Sequence, residues 1–446
     1  MTSSRHIGFI STRFAGTDGV SLESAKWAAV LERMGHACFY FCGECDRPPE
    51  ISYLVPEAFY RHAAIEAINR AAYAGSWTTA ASGEAQPPEI DALRRDFFSV
   101  YTRPAGVSQQ IQELKAYLKE QLYRFVHRFG VEALVVENAL TIPLNLPLGL
   151  ALTEFVAETG YPVIAHHHDF YWERQRFLTN SVRDYLAAAF PPSLPSIRHV
   201  VINSVQAQQL AARLGVAAMV VPNVMDFDSP PPAPDDYALS ARADLGLAPD
   251  QYLILQPTRI IQRKGIEHAI ELTRRLGLPA GLVISHAAGD EGTDYEKHVH
   301  EFAALLGVSV KFEAEIVGPR RGLTPAGRKV YALGDIYPLA GLVTYPSAIE
   351  GFGNAFLEAV YYKRPLVVNN YSIYEADIKP KGFQVVEFDG FISEATLEHA
   401  RRLLTDPQEA AAYAEHNYEL ARRYYSFAML ERRLGLLLAD CFGEDV

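Results

Sequence analysis

The stretch PSAIEGFGNAFLEAV, residues 346–360, sets two glutamates eight positions apart with a Gly-Phe-Gly turn between them. The apolar run GLVTY before it reads as a buried strand, and NAFLEAV after it reads as the start of a helix. Glycine lets the backbone approach a ligand closely, and the unpaired amides and positive dipole end of a starting helix favour an anion. Glu350 then falls in the loop after the strand and Glu358 about a turn inside the helix. The two carboxylates are expected to address opposite ends of one ligand whose phosphates meet the amides. An acidic loop followed by an ordinary helix-start glutamate is the plainer account of the same residues.

Working outward, short aliphatic or β-branched runs alternate with longer helical patterns, as parallel α/β architecture requires. HIGFIST, ACFYFCG, ALVVEN, PVIAHHH, HVVINS and AMVVPN are the strand candidates of the N-terminal half. YLILQPT, AGLVIS, VSVKFE, GLVTYPS, RPLVVNN and FQVVEF repeat the pattern after it. Between the halves, DFDSPPPAPDD carries four prolines, cannot enter a sheet interior, and reads as a stiff linker. The expected organisation is an N-terminal Rossmann-like domain over 1–225, a linker at 226–236 and a C-terminal Rossmann-like domain over 237–446. Residues 44–105 are an irregular elaboration of the first domain, and the last helices are candidates to return to it. Two parallel sheets facing across a cleft is the fold class, and the residues after each strand are those to inspect.

The chain has 446 residues, 49% hydrophobic and 21% charged, enough for two buried cores. A net charge of -12 argues against a general nucleic-acid binder and against docking on an anionic membrane. The N-terminus runs straight into a strand, and no apolar run reaches the roughly 18 residues of a spanning helix. A cytoplasmic protein is expected. Four cysteines are too few for a disulfide scaffold, and the C-x-x-C of Cys42 and Cys45 lacks a following helix or a second ligand pair.

Three further segments follow strands. After HIGFIST, a loop with Gly16 and Gly19 opens a helix, without the G-x-G-x-x-G of a dinucleotide site. After YLILQPT come Arg259 and Lys264, with Gly265 leading into a helix; two cations there suit a diphosphate, though an exposed basic turn explains them equally well, and Arg263 lies between them. After PVIA come His166, His167 and His168, then Asp169. His166 and His168 share one strand face, as a metal pair would, but no second ligand cluster stands out in the sequence, which favours a histidine reaching a sugar hydroxyl or phosphate. The aromatic run Phe170, Tyr171 and Trp172 suits an acceptor wall or core packing alike.

Taken in order, these four segments resemble the GT-B glycosyltransferases, and specifically glycosyltransferase family 4. Glu350 through Glu358 matches the family's E-x7-E pattern, and Arg259 with Lys264 and Gly265 its diphosphate clamp. The resemblance is close over the C-terminal half and scattered over the N-terminal half. It implies a retaining hexosyltransferase that needs no bound metal, with a nucleotide-diphosphate sugar donor on the second domain and an acceptor on the first. By that match Glu358 binds the donor ribose and Glu350 sits near the transferred sugar. Gly351, Phe352, Gly353, Asn354 and Ala355 surround the sugar and phosphates, and Arg259 and Lys264 stabilise the leaving diphosphate. Gly19 belongs to the N-terminal counterpart, and His168 is the strand-end histidine at the sugar or reacting centre, with His166 and His167 as neighbouring alternatives.

In a front-face retaining mechanism the leaving phosphate deprotonates the acceptor, so no glycosidase-like carboxylate pair is required. The acidic chain points to a small soluble acceptor such as a sugar, a sugar phosphate or a polyol-type acid. The rival readings are a non-hydrolysing sugar-nucleotide epimerase of the same fold, a metal-dependent hydrolase centred on the HHHD segment, and a nucleotide-sugar-binding regulator. Asp226 and Asp228 form a D-x-D in the proline segment, discounted here as a metal motif. Donor base, linkage and oligomeric state are not legible.

Overall fold

Parallel strands need a crossover of a dozen or more residues between them, which is why short apolar runs separated by helical patterns fold as they do. The computed structural model describes residues 4–16, 18–73, 99–287, 294–312 and 315–443. The chain divides into two compact units, Met1–Pro222 with Leu430–Val446, and Asn223–Met429.

In the first unit seven parallel strands lie in the order Ser52–Leu54, Ala37–Cys42, His6–Ile10, Ala133–Glu137, Val163–His167, Ile197–Val201, Ala218–Val220. The first and fourth strands in sequence are neighbours, so the strand order reverses between them, which is where open α/β sheets bind ligands. Ala133–Glu137 and Val163–His167 are buried at every position, as expected of strands covered on both faces. The helix Ala105–Phe129 turns Leu118, Leu122 and Phe125 onto Leu134 and Val136 of this sheet. Each such fully buried side chain contributes about 1.5–3 kcal/mol.

Six parallel strands form the second unit's sheet, in the order Val310–Phe312, Ala280–Ile284, Tyr252–Gln256, Leu342–Tyr345, Leu366–Asn369, Val386–Phe388. Its first and fourth strands, Tyr252–Gln256 and Leu342–Tyr345, again meet at the reversal. Ile254, Ile266, Ile270, Leu282, Leu342, Val367 and Val386 fill one core against the helices.

Two features, at 226–236 and at 44–105, differ from the sequence reading. The segment 226–236 is not a linker between units but lies within the second one. Phe227 is buried, its carbonyl accepts the Tyr418 hydroxyl at 3.0 Å, and Met225 bridges Ser426. Prolines bar a segment from a sheet, but they do not stop it being strapped down by its flanks. The C-terminal Leu430–Val446 counts with the first unit, where Leu430 and Leu434 are buried, Asp440 pairs with Arg198, and Arg5 lies 4.3 Å over the Phe442 ring. The elaboration expected at 44–105 supplies the edge strand Ser52–Leu54 and the helix Ala63–Ala72, while its residues 74–98 lie outside the described residues. All four cysteines are free thiols. Among the described residues no helix is long and apolar enough to cross a membrane.

Candidate active site

The sheet of the second unit brings two loops together at its reversal. Thr344 donates to Gln256 at 2.6 Å and Gln256 donates to Thr258 at 2.7 Å, a buried polar chain that ties the ends of the two strands. Beyond it, Gly265 has φ 58°, and a Cβ there would sit 2.6 Å from the Pro346 carbonyl oxygen. Only glycine meets both conditions, the left-handed backbone and the close approach. Ala348 N–H donates to the Arg263 carbonyl at 2.9 Å, completing the join.

This join delivers Lys264 to Glu350. The Lys264 ammonium donates to Glu350 Oε1, Arg263 Nη1 lies 3.3 Å from Glu350 Oε2, and Lys264 Nζ stands 5.7 Å from the Tyr345 ring centre. Both side chains are nearly buried, 11% exposed for Lys264 and 9% for Glu350. Burial works against the Glu350 charge, but Lys264 beside it more than offsets this, and the carboxyl is held below its usual range. Burial also lowers the Lys264 ammonium, against the pull of Glu350. Arg259, the other expected cation, is exposed after its strand, so Arg263 rather than Arg259 shares Glu350.

The second carboxylate belongs to the helix Asn354–Tyr361. Its N-cap, Gly353, has φ 130° and no capping side chain; a Cβ there would meet the Tyr371 hydroxyl at 2.7 Å. That hydroxyl donates instead to the Phe352 carbonyl at 2.8 Å, fixing the turn whose exposed member is Gly351. Asn354 accepts from Asn223 at 2.7 Å, and Ala355 follows half-buried. Glu358 is half-buried and accepts from the Tyr337 hydroxyl at 2.8 Å, with Tyr337 stacked on Tyr362 at 5.1 Å. The helix start thus offers amides with no side-chain cap, and cations stand on the neighbouring loop of the same sheet. Such a set is suited to an anion.

His286 was missed in the sequence, although it obeys the same strand-end rule. It follows Ala280–Ile284, is half-buried, and its Nδ1 lies 2.7 Å from the Ser285 hydroxyl. Burial lowers its pKa, and the charges of Arg259 and Lys264 lower it further, so it is neutral at pH 7 and faces the same cations. The apolar run AGLVIS marks a strand, and the single histidine after it carries no flanking motif.

In the first unit Gly19 opens the helix Gly19–Arg33, but this helix start is occupied. Asp18 caps it, accepting from Ser21 N–H at 3.2 Å and from the Ser21 hydroxyl at 2.6 Å, and pairs with Arg13 at 2.9 Å. The three histidines have three different fates. His166 is fully buried and stacks on Trp27 at 4.1 Å. His167 is fully buried between the Thr141 hydroxyl at 3.0 Å and His199 Nδ1 at 2.9 Å. Only His168 keeps solvent contact, 10% for its side chain, and its Nε2 is hydrogen-bonded to Glu137 Oε2 at 3.0 Å.

Donor atoms of Glu137, His166 and His168 lie within 4.8 Å of one another. Glu137 Oε2 lies 3.0 Å from His166 Nδ1 and from His168 Nε2, and only the contact to His168 has hydrogen-bond geometry. Phe170 is buried and stacks on Trp172 at 4.4 Å, so this part of the aromatic run is packing.

A scan against protein-family models finds none that matches the chain. Among characterised proteins, the mannosylglucosylglycerate synthase of Thermotoga maritima is 31% identical over 456 aligned positions, covering 95% of this chain and 97% of that protein. The mannosylglucosylglycerate synthase of Petrotoga mobilis is 28% identical over 402, covering 85% and 86%. Among solved structures, a glycosyltransferase from Rickettsia africae superposes with a TM-score of 0.66 at 11% identity over 99% of this chain and 100% of its own. Anabaena HepE, solved with UDP and glucose, gives 0.61 at 13% identity over 98% and 100%. The two Rossmann-like sheets and these neighbours are those of the GT-B architecture. This chain belongs to the GT-B glycosyltransferase family that includes the mannosylglucosylglycerate synthases.

Proposed function

We propose that the protein is a retaining, family 4-like glycosyltransferase that moves a mannosyl group from a nucleotide-diphosphate donor to a hydroxyl of a small sugar acid of the glucosylglycerate type. The acceptor class is taken from the names of the relatives. The observation that carries the donor reading is the buried Lys264–Glu350 pair, joined to the uncapped start of Asn354–Tyr361 by one sheet reversal. In this reading the donor's C1–O bond to the diphosphate breaks and its electron pair stays on the leaving phosphate. Lys264, Arg259 and the amides near Asn354 and Ala355 stabilise that charge, with single contacts of this kind worth about 3 kcal/mol. The acceptor oxygen bonds to C1 on the face just vacated, and its proton passes to the leaving phosphate oxygen. Glu350 grips the transferred sugar, Glu358 the ribose, and His168 contacts the sugar undergoing transfer.

Arg176 supports an anionic acceptor. It stands near Arg174, and burial pushes its guanidinium down to about 10. A cation placed so is stabilised by a carboxylate or phosphate on the ligand. No observation favours the epimerase or the hydrolase.

Calorimetric titration with UDP, GDP and ADP, with and without EDTA, tests the donor site. The expected result is EDTA-insensitive binding of one nucleotide, weakened tenfold or more in Glu358→Ala. Equal affinity of Glu358→Ala and the native chain, or binding that vanishes with EDTA, would overturn it.

A further inference from the structure

Glu137 ends the strand Ala133–Glu137 and is fully buried, yet among the described residues its ion-pairing partners are the imidazoles of His166 and His168 and no arginine or lysine. A buried carboxylate without compensation would take up a proton. Among the described residues its Oε1 has no hydrogen-bond partner, and its Oε2 is 3.0 Å from His166 Nδ1 and from His168 Nε2. The two imidazoles are not equivalent. His166 lies off the donor angle, both its ring nitrogens are buried without a hydrogen bond, and Trp27 covers its face. His168 makes the true hydrogen bond through Nε2, its peptide N–H donates to Asn138 at 2.8 Å, and its carbonyl accepts from Gln206 at 3.0 Å. The backbone on both sides of His168 is therefore held, and the ring is held by Glu137.

We propose that Glu137 is a positioning residue for transfer: it keeps the proton of His168 on Nε2, stabilises the imidazolium, and leaves the Nδ1 edge as the one that meets the substrate. This rests on the assignment of His168 to the transferred sugar. A carboxylate behind an imidazole fixes both its tautomer and its charge, and here Glu137 ends one strand while His168 directly follows the end of the parallel neighbour Val163–His167, its backbone held by Asn138 and Gln206. The charged and titratable groups facing His168 are Glu137 from the neighbouring strand, Glu23 (paired with Lys26 at 2.9 Å) from the helix Gly19–Arg33, and His166, His167 and Asp169 from its own segment. Burial lowers the His168 pKa, but Glu137, Glu23 and Asp169 together raise it above its ordinary value, while Glu137 is held down to about 2. Every acidic neighbour favours the cation.

The test is Glu137→Gln in the full-length protein, which keeps the shape and removes the charge. Nitrogen-15 NMR of the His168 ring is expected to show an Nε2-protonated ring in the native chain and a pKa lowered by one unit or more in Glu137→Gln. In steady-state assays kcat is expected to fall tenfold or more with the KM for the donor unchanged. The basic limb of the pH profile is expected to move down by the same one unit. A loss of stability with an unmoved His168 pKa and an unmoved basic limb would make Glu137 merely structural and overturn the proposal. If Glu137→Gln does not fold, Glu137→Asp, which keeps the charge, must retain the native His168 pKa for the proposal to stand. Full activity in His168→Ala, with the NMR shift still present, would remove the role of His168 in transfer while leaving the Glu137–His168 pairing intact.

Discussion

Lys264 and Glu350 neutralise one another in a nearly dry place, and this sets what each substitution does. Removing Lys264 leaves Glu350 to Arg263 alone, at 3.3 Å and more exposed; removing Glu350 leaves two cations facing each other. Breaking a buried pair on one side costs about 3–5 kcal/mol, and the cost is smaller when both partners go. Lys264→Met with Glu350→Gln is therefore expected to be more stable than the sum of the single changes by at least about 1 kcal/mol in a urea double-mutant cycle. Additivity would mean that the pair is not the one holding the loops together. In assays Lys264→Ala is expected to lower kcat about 10²–10³-fold. A change of less than threefold would remove Lys264 from the transfer chemistry. Arg176→Leu is expected to raise the acceptor KM tenfold or more, the loss of one charge-assisted contact of about 1.5–3 kcal/mol, without changing nucleotide affinity. An unchanged acceptor KM would exclude Arg176 from recognition of the anion.

At the scale of elements, the strand Val163–His167 and its neighbour Ile197–Val201 carry the pH dependence of the first unit. His166, His167 and His199 are all buried and neutral; burial pushes each below its usual 6.5, His199 to about 4. A histidine whose folded pKa is depressed gives the unfolded chain the proton as pH falls. Its stability contribution is whole above about 6.5 and is lost below that value, at up to about 1.4 kcal/mol per pH unit for each group. His168, with its pKa raised, adds nothing to the loss below 6.5. Urea unfolding is therefore expected to show a steep fall in stability from about pH 6.5 to about pH 4.5, flattened in His199→Gln. A flat profile in the native chain would contradict the neutral burial of these three rings.

The loop join is the second element to test. Gly265→Ala is expected to destabilise the second unit by about 1–3 kcal/mol, from left-handed strain plus the clash with the Pro346 carbonyl. An unchanged urea midpoint would mean that the two loops are not locked together.

The sheets were legible because the strands buried on both faces are built around short aliphatic or β-branched runs, as in LVTY, LVVN and ALVVE. The short edge strand Ser52–Leu54, with one exposed residue and no such run, was not. Lys264, Glu350 and His168 stand out in the sequence as candidates because they follow strands, and Glu358 because it lies in the helix opened by the Gly-Phe-Gly turn. What sequence could not give is pairing. It did not show that Arg263 rather than Arg259 shares Glu350, or that Asp18 occupies the helix start at Gly19. Nor did it distinguish three adjacent histidines that end against Trp27, His199 and Glu137. Those assignments depend on neighbours brought in from other strands and helices.

For the molecule as a whole, the same strand order appears twice, and each sheet reverses where its chemistry-bearing loops gather. The net charge of -12 coexists with a local concentration of cations at Arg259, Arg263 and Lys264 in the second unit. An acidic surface overall disfavours nucleic acid, while a local cluster of cations of this kind suits an anionic group. The measurement that tests the central claim most directly is proton NMR of the reaction of a glucosylglycerate acceptor with mannosyl donors carrying GDP, UDP or ADP. One donor is expected to release its nucleoside diphosphate in step with a new product whose anomeric configuration matches that of the donor, and Lys264→Ala is expected to slow both together. An inverted product, or nucleotide released with no glycosylated acceptor, would contradict the account.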